Sequence, residues 1–279
     1  MSDEEQIPPG VDPTRPSPAR MYDRFLGGTA NFQADRDAAD EILRLAPEIR
    51  DAAWASRGFL LRAVRWIAER GVSQFLDLGA GLPAQWCTHE AARQVVPDAR
   101  VLYTDNDPGV IAHGRQILAG VQGVALHQAD FRQPEDLLND PRARELINFT
   151  EPVGLLVVSV IQFIADAHDP WGLVARYVNA LAPGSYLALS AAGTSRITAP
   201  KAERIEAIYG SSTIPVVTGR SQAGIARFFT GLEIVSPYPG ADAVPVFAGL
   251  WDCEDPVAAD SGGSRMSYAA VARKPAAPR

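Results

Sequence analysis

The stretch Val72-Ser-Gln-Phe-Leu-Asp77-Leu-Gly79-Ala-Gly81-Leu-Pro83 decides how the rest of the chain is read. Phe75, Leu76 and Leu78 make a short apolar run with strand character. Gly79 and Gly81 end it in a turn where backbone can approach a ligand closely. Pro83 predicts the first position of a helix, where a missing N–H costs nothing. That helix is expected to reach about Val95, before Pro97. Strand, glycine turn and helix form the nucleotide-binding unit of open α/β sheets. Gly79-x-Gly81-x-x-Ala84 also satisfies the loose dinucleotide fingerprint, a weak signal by itself.

Asp77 separates two classes of ligand. It precedes the first glycine by two places, at the strand tip. A dinucleotide would set a doubly negative pyrophosphate in this turn, and a carboxylate there repels it. S-adenosylmethionine would set an ammonium group there, close to its sulfonium, and a carboxylate suits that cation. The alternative is an aspartate that only caps the loop, since Asp is common in turns.

Outward from this turn the pattern alternates. Upstream, Ser17 and Pro18 predict a helix start that ends at Gly27-Gly28. Further helices are expected over Ala34 to Leu45 and Glu48 to Glu69. Downstream, strands are expected at Val101–Thr104, Val124–Gln128, Val153–Ser159 and Tyr186–Ser190. Helical segments lie between them, one broken at Pro134 to Ile147. Such alternation implies parallel strands joined by right-handed crossovers. A sixth strand is expected over Leu232 to Ser236 and a last over Met266 to Arg273. Ala241 to Gly263 reads as loop, being rich in Gly, Pro and Asp. The expected division is a loose tail over 1–16, a helical segment over 17–71, a ligand-binding domain over 72–274 and a tail over 275–279.

The chain has 279 residues, a net charge of −7 and a sequence pI near 5.2. That balance argues against a nucleic-acid surface. Its two cysteines, Cys87 and Cys253, belong to no Cys-x-x-Cys metal or redox motif, so a reducing cytoplasm and no metal are expected. Met1 to Pro16 is acidic and proline-rich and does not read as a signal peptide. No apolar run is long enough to span a bilayer.

Ligands of open α/β sheets lie beyond the carboxyl ends of the strands. That rule selects Asp77 to Gly81, Asp105-Asn106-Asp107, Asp130-Phe131, and Ser159 to Phe163. Asp105 lies about 24 residues after Gly81, close to the spacing of a ribose-binding acid. Asp107 is read instead as the cap of the helix beginning at Pro108. Asp130 could accept from an adenine amine with Phe131 beside the ring. One ligand with an ammonium group, a ribose diol and an adenine amine accounts for all three acids.

These motifs resemble a class I S-adenosylmethionine-dependent methyltransferase. Asp77-Leu-Gly79-Ala-Gly81, Asp105, Asp130-Phe131 and Leu181-Ala-Pro183-Gly184 stand in that order. The N-terminal run is more specific. Arg20-Met-Tyr22-Asp23-Arg-Phe-Leu26-Gly27-Gly28, Asn31-Phe32 and Asp35-Arg36 are similar to a bacterial methyltransferase family first catalogued as a domain of unknown function. Pro83 departs from the wider superfamily, where glycine is frequent, but fits this family. The resemblance covers roughly Pro16 to Lys274. It implies a Rossmann-like, mostly parallel seven-stranded sheet with an antiparallel last strand and an N-terminal helical segment. It implies S-adenosylmethionine as cofactor, bound by Asp77, Gly79, Gly81, Asp105, Asn106, Asp130, Phe131 and Ser159. It does not imply an acceptor.

Tyr22 and Phe32 are read as parts of a lid over the cofactor, or as core aromatics of a helical subdomain. Candidate bases are His168, in a loop on the ligand edge, and Tyr22. The strand-four tip, Ser159-Val-Ile-Gln-Phe163, lacks the Pro-Pro-aromatic motif of amino-methylating nucleic-acid enzymes. No cysteine follows a proline, as in cytosine-C5 enzymes. A small-molecule acceptor is the expectation. The alternatives are a protein that senses S-adenosylmethionine without turnover and a nicotinamide oxidoreductase.

Overall fold

Strand β1 (Gln74–Leu78) is buried along its whole length, and the sheet grows from it on both sides. The computed structural model describes residues 7–83, 87–194 and 197–276. β1 pairs in parallel with β2 (Arg100–Asp105) and β4 (Gly154–Val158); β3 (Val124–Gln128) adds beyond β2 and β5 (Tyr186–Ala192) beyond β4. β6 (Glu233–Ile234), β7 (Val246–Phe247) and β8 (Ser267–Arg273) complete it. The order is β3-β2-β1-β4-β5-β8-β6, with β8 antiparallel to β5, to β6 and to β7. The chain therefore reverses direction across the sheet at β1 and β4, and that switch point opens the crevice.

The mostly parallel α/β class with antiparallel C-terminal strands is the one expected. The described residues hold eight strands rather than seven. The extra one is Val246-Phe247, inside the stretch read as loop, where two residues pair with Ala269 and Tyr268 of β8.

Side-chain alternation sorts the sheet between two apolar layers. Phe75, Val101 and Leu156 face one layer with Phe59, Val64 and Ile67 of α3 (Ile49–Ala68). Leu76, Leu102, Leu155 and Val157 face the other, with Tyr177 and Phe228. A third apolar cluster joins α1 (Pro18–Phe25), α2 (Gln33–Leu45) and the helix Ala199–Gly210 through Met21, Phe25, Ile42, Ile205 and Tyr209.

Three expectations change. The helix after the glycine turn is α4 (Thr88–Arg93), and neither Pro83 nor Cys87 lies in it. Its start is set by Glu90, whose carboxylate accepts from Cys87 N at 2.7 Å. A Cβ on Gly114 would meet Pro83 Cγ at 3.3 Å, so the proline lies against that segment instead. Ala84 of the glycine fingerprint lies outside the described residues. Ser17 stands at the N-cap of α1 but does not cap with its side chain; its hydroxyl donates to Asp107. Residues 7–16, read as a loose tail, are tied down: Arg15 Nη2 donates to the Ser212 carbonyl at 2.7 Å, and Pro16 O accepts from Thr213 N at 2.8 Å.

Candidate functional site

The strand tips meet because of register. Leu78 lies opposite Thr104, and Asp105 opposite Gln128, so β1, β2 and β3 end side by side. Above them is a cavity of about 510 Å³, within the range of small-molecule sites. Asp77, Gly79, Gly81, Asp105, Asn106, Asp130, Phe131, Ser159, His168 and Tyr22 all line it. The structure thus brings together every cofactor-binding candidate and both candidate bases.

The glycine turn needs glycine for two reasons. Gly79 and Gly81 have φ of +65° and +66°, in the left-handed region. A Cβ on Gly79 would also come within 2.5 Å of Val160 Cγ2. The turn is pinned to β2: Ala80 N donates to Thr104 O at 2.9 Å, and Gly81 N to Asp105 Oδ2 at 2.9 Å.

Asp105 therefore orders the turn as well as facing the cavity. Its Oδ1 accepts from Asp107 N at 2.9 Å, and each oxygen keeps a further lone pair for a ligand hydroxyl. Burial pushes its carboxyl up to about 6, against the backbone hydrogen bonds that favour the anion. Asp107 is a cap, as expected, accepting from Gly109 N at 2.7 Å.

Asp77 is less open than its place in the sequence implies. It is 4% exposed, and Thr88 Oγ1 donates to its Oδ2 at 2.6 Å, clasping β1 to α4. Burial pushes its carboxyl up to about 6, while the Arg57 guanidinium pulls the other way. Asp130 behaves differently. Arg132 donates to it from N and Nε, both at 2.9 Å to Oδ1, and these bonds hold its carboxyl below the usual range. Phe131 is buried, with its ring tilted against Tyr177 at 5.3 Å.

Ser159 follows β4 with φ +58°, a conformation L side chains rarely adopt. Its hydroxyl shares a hydrogen bond with Ser56 at 2.7 Å, and Ser56 shares another with Ser190 at 3.0 Å. Asn106 is exposed, and its carbonyl accepts from Gln128 Nε2 at 3.3 Å. His168 is exposed at the rim. Tyr22 donates its hydroxyl to the Ala53 carbonyl at 3.0 Å, and burial raises its pKa to about 12. Both facts leave it poorly placed to take a proton near neutral pH. Phe32, the second lid aromatic, does not line the cavity; Arg20 lies over its ring at 5.2 Å.

The N-terminal motif is largely internal scaffolding. Arg20 Nε donates to Asp35 Oδ2 at 2.7 Å, with both side chains buried. Asp35 also accepts from Ser17 N and Phe32 N, each at 2.8 Å. Asn31 Nδ2 donates to Asp23 at 2.8 Å.

The sequence reading missed Ala53, Ser56, Arg57 and Leu60, all of which line the cavity. They recur at i, i+3, i+4 and i+7, one face of α3, where a serine–arginine pair interrupts an apolar helix. That polar pair was the available signal. It also missed Tyr209 and residues 214–217. Among the described residues no cluster of His, Cys, Asp and Glu could hold a metal ion, and no helix is long and apolar enough to cross a membrane.

Comparison with known proteins bears on the whole chain. A family model described as S-adenosyl methyltransferase matches residues 4–275. A solved structure of a candidate methyltransferase from Thermobifida fusca YX is similar at 38% identity and a TM-score of 0.86, covering 96% of this chain and 98% of its own. A DUF574 family protein from Streptomyces avermitilis MA-4680 is similar at 35% identity and a TM-score of 0.84, covering 94% and 98%. No curated protein matches the sequence.

Proposed function

The chain belongs to the S-adenosyl methyltransferase family, and from that premise we propose that it methylates a small-molecule acceptor held beside the cofactor in the strand-tip cavity. It is an S-adenosylmethionine-dependent methyltransferase, which removes the nicotinamide alternative. When bound, S-adenosylmethionine supplies an electrophilic methyl group on a sulfonium.

The residues present fit that group. The glycine turn, with no side chain at Gly79 or Gly81, lines the cavity and lets backbone approach the amino-acid end. Asp77 and Arg57, side by side in charge, suit its ammonium and carboxylate. Asp105 keeps lone pairs for the ribose hydroxyls, with Asn106 next to it. Asp130 suits the adenine amine, with Phe131 against the ring. Ser159 lines the cavity with its hydroxyl bonded to Ser56 and is read as a further cofactor contact. The helical segment 17–71 acts as a cap, since α1 and α3 wall the cavity and Tyr22 ties them together. Closing it orients the two reactants and excludes water, and that positioning supplies much of the rate. Two cysteines in no paired motif support a reducing, cytoplasmic setting for this activity.

The observation that carries this reading is the sorting of the cavity: its carboxylates lie at the strand tips, and the rest of its wall is mainly apolar. Incubation with methyl-labelled cofactor and a small-metabolite extract is expected to label a low-mass product. Label appearing only in protein or nucleic acid would refute the acceptor class. A sensor without turnover is the second reading, favoured by the Tyr22 hydroxyl being committed to Ala53. It predicts tight binding and no label transfer.

A further inference from the structure

The cavity has a half that the cofactor's polar groups do not account for. The lining carboxylates Asp77, Asp105, Asp107 and Asp130 all sit at or just beyond the tips of β1, β2 and β3. Elsewhere the wall is made by Phe25 of α1, by Phe163, by Ile205 and Tyr209 of the helix Ala199–Gly210, and by residues 214–217. Backbone bonds hold that last run at both ends: Thr213 N donates to Pro16 O at 2.8 Å, and Thr218 N to Gln162 O at 2.7 Å. Among the described residues, this second half contains no carboxylate.

It does contain a hydroxyl that the fold leaves unused. Tyr209 is 8% exposed and lines the cavity. Its Oη has no hydrogen-bond partner among the described residues, and burial alone raises its pKa. The oxygen is not sealed within the packing, so the surface it keeps is on the cavity. Tyr22, in the same lining, is the contrast: its hydroxyl is committed to the Ala53 carbonyl at 3.0 Å. A phenol with a raised pKa stays protonated through the neutral range and offers its O–H. An O–H left unpaired in apolar surroundings is costly, and a ligand oxygen that accepts from it recovers that cost. Tyr209 also tilts against Phe163 with ring centroids 5.6 Å apart, a wall suited to a flat ring.

We propose that Tyr209 reads the methyl acceptor, selecting an uncharged, flat-ringed molecule with an oxygen that accepts a hydrogen bond from the Tyr209 hydroxyl. The proposal rests on the methyltransferase reading above and narrows its acceptor class. An amine acceptor would arrive as an ammonium ion, and burying that charge in an apolar wall without a carboxylate is strongly unfavourable. A hydrocarbon ring would leave the Tyr209 hydroxyl unpaired.

Three probes on one ring frame test this by NMR titration of the full chain saturated with S-adenosylhomocysteine: 1-indanone, indane and 1-aminoindane. Tyr209→Phe removes the hydroxyl and keeps the ring. In that variant the affinity for 1-indanone is expected to fall about fivefold or more, the ratio one hydrogen bond of ordinary net strength gives, while indane binds as well or better. The aminoindane ammonium is expected to bind most weakly to both proteins. Because the hydroxyl has no partner in the free protein, the urea midpoint of Tyr209→Phe is expected to be unchanged or higher. An unchanged indanone affinity, an equal loss for indane, a lowered urea midpoint, or tightest binding of aminoindane overturns the proposal. On the wild type, bound 1-indanone is expected to show nuclear Overhauser contacts to the Tyr209 ring, and their absence overturns it whatever the variant does. Binding of S-adenosylhomocysteine with none of the probes overturns the proposal alone. Failure of S-adenosylhomocysteine itself to bind would instead overturn the cofactor reading, and the proposal with it.

Discussion

Cofactor affinity is expected to fall as pH drops through about 6, because Asp77 and Asp105 both titrate there. Burial lifts each carboxyl from 3.8 to about 6. At about pH 7.5 both are ionised; at about pH 5 each is roughly nine-tenths protonated. Protonation removes the charge that faces the ammonium group at Asp77 and half the acceptor capacity that faces the ribose at Asp105. Affinity therefore weakens roughly tenfold per acid over that interval, and about a hundredfold if the two act independently. Ordinary α-amino and α-carboxyl groups titrate near 8 and 3.5, so the ligand's own charges stay fixed across most of the window. The stability of the unliganded protein moves oppositely. A folded-state pKa above the unfolded value gives stability that is complete below about 4 and lost as pH rises through about 6. For a raise of about two units the ceiling is about 3 kcal/mol per group. Calorimetric titration with S-adenosylhomocysteine across this range, paired with urea unfolding of the free protein, reads both trends. A dissociation constant that stays flat from about pH 5 to 7.5 would refute the reasoning.

Two substitutions probe the frame around the site. Gly79→Ala places a Cβ 2.5 Å from Val160 Cγ2 at φ +65°, which costs about 1–2 kcal/mol for the left-handed backbone before the clash is counted. Cofactor affinity is expected to drop tenfold or more, with partial recovery in Gly79→Ala/Val160→Ala; wild-type affinity in the single variant would contradict the close approach. Asp35→Ala leaves the buried Arg20 guanidinium with only Asp107 at 3.9 Å and backbone carbonyls as partners and removes the acceptor for Ser17 N and Phe32 N, so a loss of about 3 kcal/mol is expected on urea unfolding. A loss below about 1 kcal/mol would show that the N-terminal motif is not scaffolding.

Much of the site was legible because strand tips are written locally. Three apolar residues in a five-residue strand, two glycines and an acid at the end of the next strand announce themselves by spacing alone, and the cavity gathers Asp77, Asp105 and Asp130 together. The helix start at Pro83 was misread because a proline suits a first turn but does not require one. The capping pair Cys87–Glu90 sets the start five residues later. Val246-Phe247 was missed because two residues carry no period; their strand exists only through β8.

By itself the sequence determined the alternation of strands and helices, and so the parallel sheet and the edge at which a ligand binds. Those follow from backbone preferences and hydrophobic period, which act over a few residues. Only the tertiary structure decided what each polar group is free to do. Asp77 is clasped by Thr88, Tyr22 is bound to Ala53, and Asp130 is held by Arg132, whereas the Tyr209 hydroxyl is left without a partner among the described residues. Hydrogen-bond partners and desolvation depend on which distant segments close over a site. Packing settles that, and no local pattern encodes it.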